Sequence, residues 1–145
     1  MIRLAQYTGM RQEEVASLTR AQLRPGAAQL IHTKTGRPRS VPLDERAVGT
    51  IVGTPARVGC PYVFWSERGD RYHEVASRFR VIVKRSGAAP FRFHDLRHWF
   101  AIDYLRRGGS IYTLQQILGH ASIKTTEIYL AYLTPEEAGK SKRTG

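Results

Sequence analysis

Three consecutive helices, each with its own start and stop signals, most constrain the fold of residues 94 to 133. Asp95 to Arg107 sets Leu96, Trp99, Phe100 and Tyr104 on one apolar face and is stopped by Gly108-Gly109. Ser110 caps the next helix, which ends at Gly119, and Ser122 caps the last, carrying Ile123, Ile128, Tyr129 and Leu130. These helices bring chemistry with them. His94-x-x-Arg97 falls on the first turn of the first helix, Leu118-Gly119-His120 closes the second, and Tyr129 follows that histidine by nine positions. Two basic groups, a second imidazole and a phenol are what a metal-free attack on a phosphodiester needs, and Arg11 and Lys34 would complete the set from upstream.

The upstream half mixes periods. Residues 1 to 9 read as the end of a helix, with Ile2, Leu4, Ala5 and Tyr7 apolar and Thr8-Gly9 breaking the run; Arg11 to Leu18 reads as a short amphipathic helix. Leu30-Ile31 leads into His32-Thr33-Lys34, Thr35-Gly36-Arg37-Pro38 supplies turn chemistry, and Ser40 to Leu43 resumes an extended run. That is a hairpin with Lys34 near its tip. A short strand at Gln22 to Arg24, turned by Pro25-Gly26, makes a three-stranded antiparallel sheet. Asp44 to Val52 reads as helix, Gly53 to Gly69 as loop around Tyr62 to Trp65, and Tyr72 to Arg85 as a helix with Val75, Phe79 and Ile82 inward. The expected fold is therefore mainly α with a small three-stranded antiparallel β-sheet, an α+β domain over residues 1–133, and the Lys-, Gly-, Ser- and Thr-rich stretch 134–145 is expected to be a flexible basic tail.

Charge narrows the partner. The 145 residues hold 23 Lys and Arg against 12 Asp and Glu, a net charge of +11, and clustered cations gain free energy by releasing counterions condensed on nucleic acid. Cys60 is the only cysteine, which excludes an internal disulfide and a thiolate zinc cluster and fits a reducing compartment. The first twenty residues carry no long apolar run, so neither a signal peptide nor a membrane span is expected and the protein is expected to be intracellular.

Displacing one oxygen of a phosphodiester by a tyrosine oxygen builds negative charge on the non-bridging oxygens. Arginine meets it with a planar, permanently charged fork, so two arginines can stand where other phosphoryl-transfer enzymes hold metal ions. A tyrosine hydroxyl, with an ordinary pKa of about 10, attacks poorly without a base or a positive field. The departing 5′ oxygen needs a proton, which a lysine can donate.

These blocks resemble the catalytic domain of the tyrosine recombinases of the phage-integrase type. Thr8-Gly9-Met10-Arg11-x-x-Glu14 is similar to that family's first arginine box, and Thr33-Lys34-Thr35-Gly36 with Arg39-x-Val41-Pro42-Leu43 to its catalytic-lysine hairpin. Phe93-His94-Asp95-Leu96-Arg97-His98 resembles its second box, and Leu118-Gly119-His120 with Ile128-Tyr129 its last. The resemblance implies a DNA breaking-rejoining fold in which Tyr129 attacks the scissile phosphate to form a 3′-phosphotyrosyl link. Arg11 and Arg97 would bind the phosphate, His120 would add a hydrogen bond, Lys34 would protonate the leaving oxygen, and His94 would accept the tyrosine proton or position the phosphate. It implies double-stranded DNA attachment sites as partners, a homotetramer on synapsed DNA, accessory DNA-bending proteins, and no cofactor. The role implied is integration or excision of a phage or mobile element, in the cytoplasm of a bacterial or phage-infected cell at the nucleoid. The family also carries an amino-terminal DNA-clamping domain and a further first helix, so residues 1–133 are expected to be a catalytic domain lacking both. Two rival readings keep part of this: type IB topoisomerase-like relaxation, and an inactive DNA-binding remnant.

The remaining cations suggest backbone contacts to DNA: Arg37, Arg39, Arg78, Arg80, Lys84, Arg85, Arg92 and Lys124. Trp99, Phe100 and Tyr104 read as core. His94 and His98 are spaced i, i+4 as in some zinc sites, but no HExxH pattern and no third ligand accompany them, so no metal site is expected.

Overall fold

A computed structural model describes residues 1–31 and 38–142, and its order of elements follows the alternation of periods in the sequence. Helix α1 (Ile2–Thr8) ends at Gly9, which adopts a left-handed φ of 64°. Arg11 then starts α2 (Gln12–Ala16), and a 3-10 turn leads into strand β1 (Leu23–Arg24). Pro25-Gly26, with Gly26 at φ 70°, turns the chain into β2 (Ala27–Leu30), and β3 (Arg39–Pro42) returns beside it. The sheet is antiparallel in the order β1-β2-β3, with Ala28 opposite both Leu23 and Val41.

Asp44 caps α3 (Glu45–Val52) by accepting from Ala47 N at 2.8 Å. The loop that follows is held by its apolar centre: Val63 and Phe64 are buried, and Val63 N donates to Leu18 O at 2.8 Å. The remaining helices are α4 (Val75–Ser86), α5 (Asp95–Arg106), α6 (Ile111–Leu118), α7 (Ile123–Glu127) and α8 (Pro135–Lys142). No described helix is long and apolar enough to cross a membrane.

Helix α5 is the spine between two apolar clusters. The larger joins α1, the sheet, α3 and α4 to Leu96; the smaller packs Ala101 and Leu105 against Ile111, Leu114, Leu118 and Tyr129. The buried line along α5 is Leu96, Arg97, Ala101 and Leu105, whereas Trp99 is 44% exposed. Of the expected face, Leu96 is buried and Phe100 and Tyr104 pack against the core, so the correction is to Trp99. A guanidinium holds the inward position at 97, so the true inner line does not read as apolar. On α4 the inner line is Val75, Phe79 and Val83, four apart, and Ile82 points outward. Phe79 meets Phe91 and Phe93 edge to face, with centroids 5.2 and 5.3 Å away.

The carboxy-terminal segment departs most from expectation. Within the stretch read as a flexible tail, Pro135–Lys142 forms α8, which packs on α5 and α6. Thr134 N donates to Glu137 Oε2 at 2.8 Å, and Glu137 N donates to Thr134 Oγ1 at 3.3 Å, a capping box with Pro135 at the first helical position. Ser141, fully buried, donates to Leu105 O at 3.0 Å. A local start signal and one docked hydroxyl outweigh the polar composition.

These packing lines predict opposite costs for two apolar truncations. Leu105→Ala removes a fully buried side chain from the smaller cluster and should cost roughly 2–5 kcal/mol, whereas Ile82→Ala on the outer side of α4 should stay within about 0.5 kcal/mol. Urea unfolding midpoints of the two variants check the assignment.

Candidate active site

Buried charge organises the place where the segments meet. Arg97, only 2% exposed, donates from Nη1 to Gly9 O at 2.7 Å and from Nη2 to Leu118 O at 2.6 Å. It thereby ties the end of α1 and the end of α6 to the first turns of α5. Both tethered ends need glycine. Gly9 and Gly119 have left-handed φ of 64° and 66°; a Cβ on Gly9 would collide with the Phe100 ring, and one on Gly119 would lie 2.9 Å from Arg39 Cδ.

Glu14 is the second anchor. Its carboxylate accepts both terminal nitrogens of Arg39, at 2.6 and 2.7 Å, and the Arg11 backbone N at 2.7 Å and Nη1 at 3.2 Å. Arg39 also donates from Nε to Ile117 O at 2.8 Å, so one carboxylate links α2, β3 and α6. Burial would push the Glu14 carboxyl up, but the Arg39 hydrogen bonds, the Arg11 backbone N–H and the two positive charges outweigh it and hold it below its ordinary value. The result is a fixed Arg11, its side chain 21% exposed.

Tyr129 lies in the 3-10 turn Ile128–Tyr132 that follows α7, and is 3% exposed. Its hydroxyl is 3.0 Å from His98 Nδ1. The His120 ring lies nearly parallel to the Tyr129 ring, with centroids 6.5 Å apart, and His120 Nδ1 is 2.9 Å from Thr126 Oγ1. His94, at the start of α5, sets its ring edge-on to that of His98, with centroids 4.7 Å apart.

The electrostatics follow from crowding cations into a partly dry site. Burial, then the charges of Arg11 and Arg39, lower Arg97 to about 10, which leaves it charged near neutral pH. Burial, then Arg97, Arg11 and Arg39, lower His120 to about 4, so its ring is neutral there. His94 is lowered by burial, His98 and Arg97. Burial raises the Tyr129 phenol while the Arg97 charge opposes it. Uncompensated positive field around a neutral imidazole and a phenol favours an arriving anion.

Five of the six expected site residues converge here: Arg11, His94, Arg97, His120 and Tyr129. Lys34 and the DNA candidate Arg37 lie outside the described residues. Arg39 is corrected: its guanidinium is spent on Glu14 and the Ile117 carbonyl, with a side chain 7% exposed, and is unavailable to DNA. Arg78, Arg80, Lys84 and Arg85 are exposed on α4, Lys124 is exposed on α7, and Arg92 is exposed beside Asp95, 3.2 Å away. Among the described residues no three His, Cys, Asp or Glu side chains gather as metal ligands.

The sequence matches the model of the phage integrase family over residues 1–135. The chain belongs to the phage integrase family. This integrase-family chain is 33% identical over 129 residues to the integrase of Escherichia phage P2, a match covering 89% of the chain and 36% of that protein. It superposes on the XerA recombinase with a TM-score of 0.79 at 29% identity, covering 95% of itself and 54% of XerA. On the XerH site-specific recombinase bound to a palindromic difH substrate in a post-cleavage complex, the TM-score is 0.70 at 25% identity, covering 90% and 41%. The chain thus spans about a third of its phage P2 relative and about half of the solved relatives. The mainly helical fold with its three-stranded sheet is that of tyrosine recombinase catalytic domains.

His98 is the site residue that sequence reasoning missed. Its signal was the i, i+4 spacing from His94, which puts both rings on one face of α5, but that spacing reads first as a metal pair.

Removing one partner of the buried pair, as in Arg39→Met, should cost roughly 3–5 kcal/mol by urea unfolding at neutral pH. Because Glu14 is lowered in the folded state, its stabilisation is complete above the ordinary value of 4.5 and is lost as pH falls through the lowered one. Unfolding midpoints measured from pH 7 down to 3 should therefore fall more steeply in the wild type than in Arg39→Met. A histidine NMR titration should find His120 neutral down to about pH 4, and inorganic phosphate should raise that value, since an adjacent anion favours imidazolium.

Proposed function

We propose that this chain is the catalytic part of a site-specific DNA recombinase that cleaves and rejoins DNA through Tyr129. The observation that carries this reading is the convergence of Arg11, Arg97, His120 and Tyr129, from four separate segments, on one cationic site. In the proposed reaction Tyr129 Oη attacks the scissile phosphorus, forming a P–O bond as the bond to the 5′ oxygen breaks. Arg11 and Arg97 neutralise the charge that grows on the non-bridging oxygens. With Thr126 Oγ–H donating to His120 Nδ1, the neutral ring carries its hydrogen on Nε2 and offers it to the same phosphate. Lys34, in the sequence between β2 and β3, supplies the proton to the leaving 5′ oxygen. A 5′ hydroxyl of a second duplex then attacks the phosphotyrosine, and phosphodiester is exchanged for phosphodiester without ATP.

The substrates proposed are double-stranded attachment sites of a phage or mobile element, engaged by a homotetramer with accessory DNA-bending proteins, at the nucleoid of a bacterial or phage-infected cell. The exposed cations Arg78, Arg80, Lys84, Arg85, Arg92 and Lys124 are assigned to the DNA backbone. Affinity carried by such contacts falls steeply with salt.

The test is covalent capture. A pool of nicked duplexes with a randomised core is incubated with the protein, and the adduct is resolved on a denaturing gel and mapped by peptide mass. Wild type should form an adduct at Tyr129, Tyr129→Phe none, and Arg11→Ala should slow its formation by about 10²–10³-fold, as loss of one oxyanion donor does. An adduct that survives in Tyr129→Phe overturns the nucleophile, and wild-type protein that forms none at any salt overturns the recombinase reading.

A further inference from the structure

We propose that His98 is the base that takes the proton from Tyr129 during cleavage and returns it during rejoining. The inference rests on the recombinase reading above and adds a residue to it. Three imidazoles stand near the phenol, and they are not equivalent. His120 Nδ1 is paired with Thr126 Oγ1 at 2.9 Å. His94 touches His98 rather than Tyr129, edge-on at 4.7 Å between centroids. His98 Nδ1 is 3.0 Å from the Tyr129 hydroxyl, within the heavy-atom distance needed for direct proton transfer.

The site gives that contact a purpose. Tyr129 is buried, which makes its phenol harder to ionise, and the opposing charge of Arg97 acts only at a distance. A neutral His98 ring carrying its hydrogen on Nε2 turns an unprotonated Nδ1 lone pair towards the phenol O–H. As Tyr129 Oη bonds to phosphorus, its proton passes to Nδ1 and His98 becomes imidazolium. The P–O5′ bond breaks, and the 5′ oxygen takes its proton from the general acid assigned to Lys34. In rejoining, the 5′ hydroxyl attacks phosphorus, gives up its proton to the neutral lysine, and the imidazolium reprotonates the departing Tyr129 oxygen. Nothing is consumed.

The groups facing His98 suit the role. His94 and Asp95 on α5, and Tyr129 from the 3-10 turn, are its titratable neighbours, and Arg97 is adjacent in the chain. The exposed ring of His94 packs edge-on against that of His98.

Adduct formation on the nicked duplex pool, measured in a single turnover from pH 5.5 to 9.5, tests the proposal beside Tyr129→Phe. His98→Gln keeps a hydrogen-bond partner but no base. It should slow adduct formation by about 10²–10⁴-fold at pH 7, the usual contribution of a positioned base, and its rate should go on rising with pH toward phenol ionisation. His98→Ala should recover when free imidazole is added. A His98→Gln rate and pH profile equal to wild type overturns the proposal, as does equal slowing in both variants with an unchanged profile and no rescue by imidazole. One measurement needs no DNA: ¹⁵N NMR of the wild-type imidazoles should find His98 protonated at Nε2 and accepting at Nδ1, and a hydrogen fixed on Nδ1 overturns the assignment. An adduct that forms in wild type and is lost in Tyr129→Phe upholds the recombinase reading even where the His98 outcomes go against the proposed base.

Discussion

The Arg97 guanidinium, buried where an apolar side chain would ordinarily sit, is the constraint on which the rest of the structure depends. It gives up hydrogen bonds to water and replaces them with the carbonyls of Gly9 and Leu118, both at helix ends that have no intrahelical acceptor role left to fill. Those two carbonyls lie 109 positions apart in the chain, so one side chain sets the separation of the segments that carry Arg11 and His120. Burying this charge is expensive. It is retained at the one point where the ends of α1 and α6 are tied to α5.

Glu14 and Arg39 perform the complementary task on the sheet side. A bidentate pair in a partly dry setting is directional, so it locks β3 against α2 and, through Ile117 O, against α6. The single carboxylate leaves the site with a surplus of positive charge from Arg11, Arg39 and Arg97. Burial, aided by that surplus, keeps His120 neutral, and the Arg97 charge opposes the effect of burial on Tyr129. Fixed charge prepares the site for an anion.

Much of this was legible from residue order. The helix stops at Gly9 and Gly119, the Ser110 and Ser122 caps, the Pro25-Gly26 turn and the three strands all carry short-range signals, and all appear where those signals lie. Errors arose where tertiary contacts set the outcome. On α5 Trp99 reads as core and turns outward, because periodicity arguments count apolar side chains and the buried line runs through Arg97. Arg39 read as a DNA contact because a sequence cannot say which of many arginines meets a buried carboxylate. Segment α8 read as a tail because composition weighed more than the Thr134-x-x-Glu137 box and the docking of Ser141.

The sequence by itself determined the family and the order of the elements, and it named the candidate reactive groups, because these depend on residue type and on spacings of a turn or a strand. Only the tertiary structure decided which imidazole meets the phenol, which arginines are structural and which face the open site. Those outcomes depend on distances between segments far apart in the chain, and such distances are set by packing around α5 and by buried ion pairs rather than by any local pattern.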